Sequence, residues 1–136
     1  MNKLEYIPGD IVKIEYGEAT GKIGFVTNTF LRRKGCYSLV VFIGKGFQGS
    51  SKDDWIQTYN DEVSPIPLTP EILEKNGWEH KDDVYFKDYP QRKLVIIDGE
   101  AYIINESCSL FLCKVEFVYQ FQHLLFGLGL NSEMEV

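Results

Sequence analysis

Gly9–Ile14 (GDIVKI), followed after a short loop by Gly21–Val26 (GKIGFV), is the stretch that decides the fold of the first half of the chain. From Ile11 to Tyr16, apolar and charged residues alternate, which is typical of a strand with one buried face. The apolar members of that face are Val12, Ile14 and Tyr16. Gly21 and Gly24 permit a tight, twisted entry into a second strand at points where a Cβ atom would clash, and Val26 then returns to the core.

Further strand patterns complete a five-stranded first half. Cys36–Ile43 is an unbroken apolar run, which indicates a central strand, and a hairpin around Arg32–Gly35 connects it to the second strand, Lys22–Thr29. Weaker strand patterns follow at Trp55–Thr58 and Glu62–Ile66. Short strands with frequent turn signals are typical of a small barrel or sandwich.

The Gly9–Val26 segment resembles a KOW segment, which joins a GDxVxV opening strand to a GxxGxV second strand. The resemblance covers about the first third of the chain, and it implies an SH3-like β-barrel over residues 1–66. Because small barrels carry many unrelated activities, it says more about how this part folds than about what it binds.

A junction and a short helix follow the first half. Ser64–Leu68 (SPIPL) predicts the junction, because its prolines cannot continue a central strand. Matching start and stop signals then predict a helix, since Thr and Pro favour its beginning and Gly favours the position after its end. These signals are carried by Thr69, Pro70, Asn76 and Gly77. A Schellman stop there brings Trp78 against Leu73.

The second half, residues 67–136, is predicted to be a helix–β-hairpin–helix α+β subdomain. Its strand patterns occupy Asp83–Lys87, Lys93–Ile97, Glu100–Ile104 and Ser109–Lys114. Asp98-Gly99 separates the middle two and suits a two-residue type I′ turn. An amphipathic helix closed by Gly129 ends the pattern. Its apolar face is predicted to carry Phe117, Phe121, Leu124, Leu125 and Leu128.

IPLTPEILEKNGW (residues 66–78) and FVYQFQHLLFGLGL (residues 117–130) resemble a family of small uncharacterised proteins from bacteria, their phages and mobile elements. Members carry a similar IPLT-helix-glycine-aromatic segment and end in a YxHQLQ-like amphipathic helix. Here Tyr119–Leu124 reads YQFQHL, which keeps that histidine pattern only in part. The resemblance implies an architecture and a phage-associated origin, but no activity.

Composition narrows the classes of function. With 136 residues, 44% apolar and 25% charged, the chain matches one ordinary domain or two very small ones. The net charge of −6 argues against a chain-wide surface for nucleic acid, although a local basic patch stays open. Three cysteines without CxxC spacing indicate reduced thiols. No signal peptide or membrane span is predicted, so we expect a cytoplasmic protein.

A basic hairpin is the candidate surface for nucleic acid. Cationic side chains neutralise phosphates, and a neighbouring aromatic ring stacks on an unpaired base. The candidate residues are Lys22, Phe30, Arg32, Arg33 and Lys34. A solvated hairpin tip explains the same residues without any partner.

The polar side of the terminal helix is the candidate surface for a protein partner. It carries Tyr119, Gln122, His123 and Phe126. An exposed Phe126 off the main apolar stripe would mark a docking face. The expectation from the sequence is instead that hairpin strands wrap the helix and bury Phe126.

Catalytic, cofactor and metal sites are not predicted. The acidic pairs Asp53-Asp54, Asp61-Glu62 and Asp82-Asp83 point apart on strands or loops, and none has a third ligand at helical spacing. No nucleophile motif supports a Cys–His pair. Gly44–Gly49 lacks the Walker spacing and is not followed by a helix pattern, so a barrel loop explains it better than a phosphate site.

The sequence therefore predicts an α+β, non-catalytic adaptor that acts through protein–protein contacts. A KOW-like nucleic-acid-binding protein that uses the basic hairpin is the alternative. The identity of the partner and the oligomeric state are left open.

Overall fold

The structure is a computed structural model. It describes residues 6–32, 36–44, 54–90, 92–106 and 108–136. The described residues form two antiparallel sheets of five strands each and two short helices, which confirms a β-rich protein that also contains helices. The chain divides into two compact units, Met1–Ile66 and Pro67–Val136.

The first unit is a single sheet with the strand order β4-β3-β2-β1-β5. Its strands are β1 (Ile11–Ile14), β2 (Ile23–Leu31), β3 (Tyr37–Phe42), β4 (Trp55–Tyr59) and β5 (Val63–Pro65). As expected for an interior strand, β3 pairs on both sides. β4 and β5 are the edges, and no pairing between described strands closes the sheet into a barrel.

A tight turn before β1 explains the Gly-Asp pair that opens the deciding segment. Gly9 has a φ of +100°, and its amide donates to the carbonyl of Val26 at 2.7 Å. The buried Asp10 carboxylate accepts the amide of Ile7 at 2.9 Å. Glycine is needed for the left-handed backbone, and the short acidic side chain satisfies the turn's own amide.

The two glycines before and within β2 serve different purposes. Gly21 has a φ of +89° and open space around it, so its requirement is conformational and a Cβ there would not clash. At Gly24 a Cβ would lie 2.3 Å from the carbonyl oxygen of Phe42, so its requirement is close packing of β2 on β3. The predicted clash is therefore confirmed at Gly24 and wrong at Gly21.

The core of the first unit contains the predicted strand residues with one exception. The apolar side chains without solvent exposure are Val12, Ile14, Val26, Leu39 and Val41. Tyr16 is exposed instead of sharing the face of Val12, because β1 ends at Ile14.

The second unit is a meander with the strand order β10-β9-β8-β7-β6. Its elements are α1 (Pro70–Lys75), β6 (Glu79–Lys81), β7 (Val84–Tyr89), β8 (Arg92–Ile97), β9 (Glu100–Ile104), β10 (Ser109–Lys114) and α2 (Val118–Gly127). Asp98 and Gly99 both have positive φ, as a type I′ turn requires, so the predicted hairpin is confirmed. The short charged β6 was not predicted, because its sequence Glu-His-Lys has no apolar alternation.

Helix α1 follows the predicted signals at both ends. The Thr69 hydroxyl accepts the amide of Ile72 at 3.3 Å. At the other end, the amide of Trp78 donates to the carbonyl of Leu73 at 3.0 Å, while Gly77 has a φ of +85°. This is the Schellman arrangement, and it buries Trp78 against Phe121 with a ring separation of 5.2 Å.

Helix α2 is confirmed as amphipathic: Phe121 and Leu125 of the predicted face are buried, and Leu124 and Leu128 pack half-buried against the core. The fully buried stripe also includes two residues that were not predicted, Val118 and Gln122. At the N-terminus of α2, the side-chain oxygen of Gln120 accepts hydrogen bonds from the amides of Glu116 and Phe117 at 2.9 and 3.1 Å. No helix in the described part of the chain is long and apolar enough to cross a membrane.

Residues 131–136, which we call the C-terminal strap, lie in irregular conformation against α1 and α2. The Asn76 amide group donates to the carbonyl of Glu135 at 2.7 Å and accepts its amide at 2.9 Å. Gln122 donates to the carbonyl of Ser132 at 3.1 Å. These bonds explain why a glutamine is buried on α2, since a buried side-chain amide needs polar partners.

Candidate binding surfaces

The sheet of the second unit has apolar side chains on both faces, and the described helices cover only one. Leu94, Ile96 and Ala101 pack with Phe121 and other residues of the helices to form the core. The opposite side, which we call the outer face, is not part of that cluster. Its apolar members are Val84, Phe86, Val95, Ile97, Tyr102, Ile104 and Phe111.

The outer face is continuous across four strands. Phe86, Val95, Tyr102 and Phe111 are directly opposite one another in β7, β8, β9 and β10, so their side chains form one row. The rings of Tyr102 and Phe111 meet edge to face at 5.5 Å. Beside this row a groove of about 350 Å³ has an almost entirely apolar wall. The groove is lined by Lys81, Asp82, Val84, Phe86, Lys93, Val95, Ile97 and Ile104.

Polar groups border the outer face. Lys93 lies 4.9 Å from the ring centre of Phe86 and 3.7 Å from a carboxylate oxygen of Asp88. The Tyr102 hydroxyl donates to Glu100 at 2.7 Å, and this bond, together with burial, raises the pKa of Tyr102. An apolar centre with a mixed polar rim is the usual composition of a protein-binding surface.

A second concave feature lies where two turns of the same sheet meet the start of α1. This turn-end cavity has a volume of about 320 Å³. It is lined by Leu68, Pro70, Leu73, His80, Asp83, Tyr85, Ile96, Asp98, Gly99 and Val115. The rings of His80 and Tyr85 are stacked, with centres 4.6 Å apart and planes inclined by 15°. Burial, followed by the nearby carboxylates, raises the pKa of Tyr85.

The predicted protein-binding residues of α2 differ in their exposure to solvent. Phe126 is 69% exposed, so the expectation that strands bury it is wrong. Gln122 is buried and bonded to the C-terminal strap, so it does not belong to an accessible face. Tyr119 and His123 are half-buried and pack edge to face at 5.5 Å. Only Phe126 is a strongly exposed apolar member of that set.

The described members of the predicted nucleic-acid set, Lys22, Phe30 and Arg32, are not gathered into one patch. Lys22 precedes β2 and Arg32 follows it, so about 30 Å of extended strand lies between them. Phe30 is 48% exposed near the Arg32 end. Arg33 and Lys34 lie outside the described residues.

Potential metal ligands are not clustered within the described ranges. No group of three His, Cys, Asp or Glu side chains within them is placed to hold a metal ion. All three cysteines are free thiols. Cys108 is exposed and bonded to Asn105 at 3.3 Å, whereas burial raises the pKa of Cys113. Residues 45–53, which include most of the glycine-rich loop and Asp53, lie outside the described part.

Charge is distributed unequally between the units. Residues 1–66 contain eight acidic and eight basic residues, whereas residues 67–136 contain twelve acidic and six basic residues. The whole net charge of −6 therefore belongs to the second unit. A cationic partner or ligand is favoured there over an anionic one.

Sequence reasoning missed the outer face, although β8 carried its signal. A strand with one buried face alternates, but Leu94–Ile97 is continuously apolar, which is typical of a strand covered on both sides.

Neither the models of protein families, nor the curated proteins, nor the solved structures contain a match to this chain. The two resemblances drawn from the sequence stay predictions.

Proposed function

We propose that this protein is a non-catalytic binding module that acts through protein–protein contacts, with the outer face of the second sheet as its docking surface. The observation that carries the proposal is the apolar row across β7–β10, on the face that the described helices do not cover. Within this row Val95 is buried, Phe86 and Tyr102 are half-buried, and Phe111 is 49% exposed. Ile97 and Ile104 are each 37% exposed in strands that otherwise contribute to a core. Contiguous apolar surface of this kind is typical of an interaction site.

We also infer that the first unit has an SH3-like fold. The inference is supported by the Gly9–Val26 pattern and by the way β5 returns to pair with β1, which places the first and last strands of the unit side by side. Such a unit is a scaffold for binding and requires no catalytic group. A cytoplasmic location is consistent with three unpaired thiols.

The docking surface is tested by an apolar-to-charged change with a matched control. Ile97→Lys places a charge on the outer face, while Ile23→Lys makes the same change at an isoleucine of β2 that is 45% exposed. The wild-type protein and the control are expected to capture the same partner from an extract of the source cells. Ile97→Lys is expected to lose it.

The captured partner, once purified, provides a quantitative measurement. Isothermal titration is expected to show a 1:1 complex whose Kd rises at least about tenfold in Ile97→Lys, because a charge placed among the apolar side chains of an interface is rarely tolerated. Equal affinity for Ile97→Lys and wild type would refute the outer face as the docking surface. A wild-type chain that captures no protein would refute the function.

Nucleic-acid binding is the second candidate, and the exposed rings near Arg32 favour it. Phe30 and Tyr59 are both exposed and lie on the same face, on either side of Ser38. If this is a stacking surface, Arg32→Glu weakens binding to single-stranded RNA or DNA, while Lys22→Glu at the other end of β2 changes it little. No binding of single- or double-stranded nucleic acid at low salt would exclude this candidate.

A further inference from the structure

We propose that the turn-end cavity of the second unit binds a guanidinium group, delivered either as a small free cation or as the arginine side chain of a peptide. This site is separate from the outer face, because its lining residues lie on the helix-covered side of the sheet or at its turns. The proposal stands on the shape, the aromatic wall and the charge of the cavity.

The floor of the cavity is apolar and firmly packed. Leu73, Ile96 and Val115 line it and are each at least nine-tenths buried, as members of the core cluster. A surface of this kind accepts the methylene stem of an arginine while the charged end stays near water. With about 320 Å³ of space, the cavity is at the lower end of the range for small-ligand sites.

One wall of the cavity is the stacked pair of His80 and Tyr85. Both rings belong to the hairpin formed by β6 and β7, where these two residues are directly opposite each other. A planar cation is attracted to an aromatic face, and guanidinium also stacks on it more readily than ammonium does. The ordinary pKa of tyrosine, 10.0, already keeps the Tyr85 hydroxyl protonated at neutral pH, and burial raises that pKa further, so the hydroxyl is a neutral hydrogen-bonding group.

The rim of the cavity is anionic. Asp83 and Asp98 are exposed on two neighbouring turns, and within the described residues neither carboxylate takes part in a hydrogen bond or an ion pair. None of the described residues that line the cavity is a lysine or an arginine. The field of Glu71 and Glu74 also reaches this place, since both carboxylates contribute to the pKa of Tyr85. An anion would be repelled here, whereas a cation gains a carboxylate partner.

A metal ion is a poorer occupant than an organic cation. No trio of possible metal ligands occurs in the described residues. Aromatic rings and an apolar floor provide no oxygen ligands for a hard metal cation, but they can pack against the planar faces of a guanidinium group.

The proposal is tested on the full chain by NMR titration with N-acetyl-arginine methylamide. Its matched probe is the citrulline derivative, which has nearly the same shape without the charge. Arginine is expected to shift the ring signals of His80 and Tyr85 with a Kd below about 10 mM, and citrulline is expected to bind at least about tenfold more weakly. Equal shifts from both probes, or none from arginine up to about 50 mM, would overturn the proposal.

The site is checked with Asp83→Asn combined with Asp98→Asn. Asparagine keeps the size and tolerates the positive φ of Asp98, so this variant retains the turn while losing both charges. The arginine Kd is expected to rise at least about tenfold, while Asp88→Asn on the outer face leaves it unchanged. Equal effects of the double variant and the control would overturn the site.

The source of the cation is decided by two further probes. Methylguanidinium that binds as tightly as the arginine derivative assigns the cavity to a small free cation. A glycine-flanked arginine peptide that binds at least about tenfold more tightly assigns it to a side chain. Either result supports guanidinium recognition, and neither depends on whether a protein partner occupies the outer face.

Discussion

Gly24 offers the sharpest test of how β2 packs, because the cost of any side chain there is set by backbone. A Cβ at this position would lie 2.3 Å from the carbonyl oxygen of Phe42 and 2.9 Å from a methyl carbon of Val41. Real Cβ atoms essentially never approach within 3.0 Å. Since Phe42 pairs with both Phe25 and Trp55, the carbonyl cannot retreat without moving strands on both sides.

The magnitude follows from that geometry. Overpacking a well-packed site costs about 1–3 kcal/mol, and we expect Gly24→Ala to cost about 3 kcal/mol because the clashing atom is in the backbone. Gly21→Ala has no clash and instead forces alanine into left-handed backbone, at a cost of about 1–2 kcal/mol. Asparagine separates the two causes: it tolerates left-handed backbone better than alanine but is larger. Asparagine should therefore cost less than alanine at Gly21 and more at Gly24.

The assay is chemical denaturation followed by tryptophan fluorescence. Trp55 reports on the first unit in a Trp78→Phe background, and it packs on the ring of Phe42 at 4.6 Å, close to the perturbed pairing. Alanine and asparagine ranked in the same order at both glycines would refute the distinction between close packing and left-handed conformation. So would a Gly24→Ala protein as stable as the parent.

Three further predictions concern the second unit. Asn76→Ala removes the two hydrogen bonds between Asn76 and Glu135 of the C-terminal strap. It should lower the free energy of unfolding by about 1–3 kcal/mol and speed amide hydrogen exchange in the strap. Unchanged amide exchange would contradict this. Cys108 should react with iodoacetamide faster than Cys113, whose pKa is raised by burial, as mass spectrometry of the modified protein will show. The pKa of Tyr102 is raised above its ordinary value of 10.0 in the folded protein. Its contribution to stability is therefore fully present below pH 10 and is lost as the pH rises through the folded-state pKa. Because the hydrogen bond to Glu100 is the largest cause of the shift, Glu100→Gln should lower the pKa of Tyr102 in an absorbance titration at about 295 nm.

Local signals were sufficient where each residue acts through its immediate neighbours. The Thr69 cap, the Gly77 stop and the Asp98-Gly99 turn depend on a few consecutive residues, so the sequence predicts them and the structure confirms them. β10 has the predicted bounds, Ser109–Lys114, for a similar reason. Strand patterns of this kind need only alternation and a turn at each end.

The binding surfaces depend on which face each element presents, and a linear pattern does not determine this. The sequence predicts that Phe126 is buried, because apolar side chains usually are. In the structure Phe126 is exposed and Gln122 is buried, where it donates to a carbonyl of the strap. That partner lies ten residues further along the chain. The stacking of His80 on Tyr85 likewise needs the register of a hairpin whose first strand carried no strand signal.

One hairpin links the two proposed sites of the second unit. Lys81 and Asp82 line the apolar groove of the outer face, while His80 and Asp83 line the turn-end cavity on the other side of the sheet. The four residues are consecutive, and Asp82 holds a φ of +55°, an unusual backbone for a residue other than glycine. A ligand that moves this turn changes both surfaces, so binding at one site alters the affinity of the other by an equal factor in each direction. A partner on the outer face that leaves the guanidinium Kd unchanged would show that the turn is rigid and that the two sites are independent.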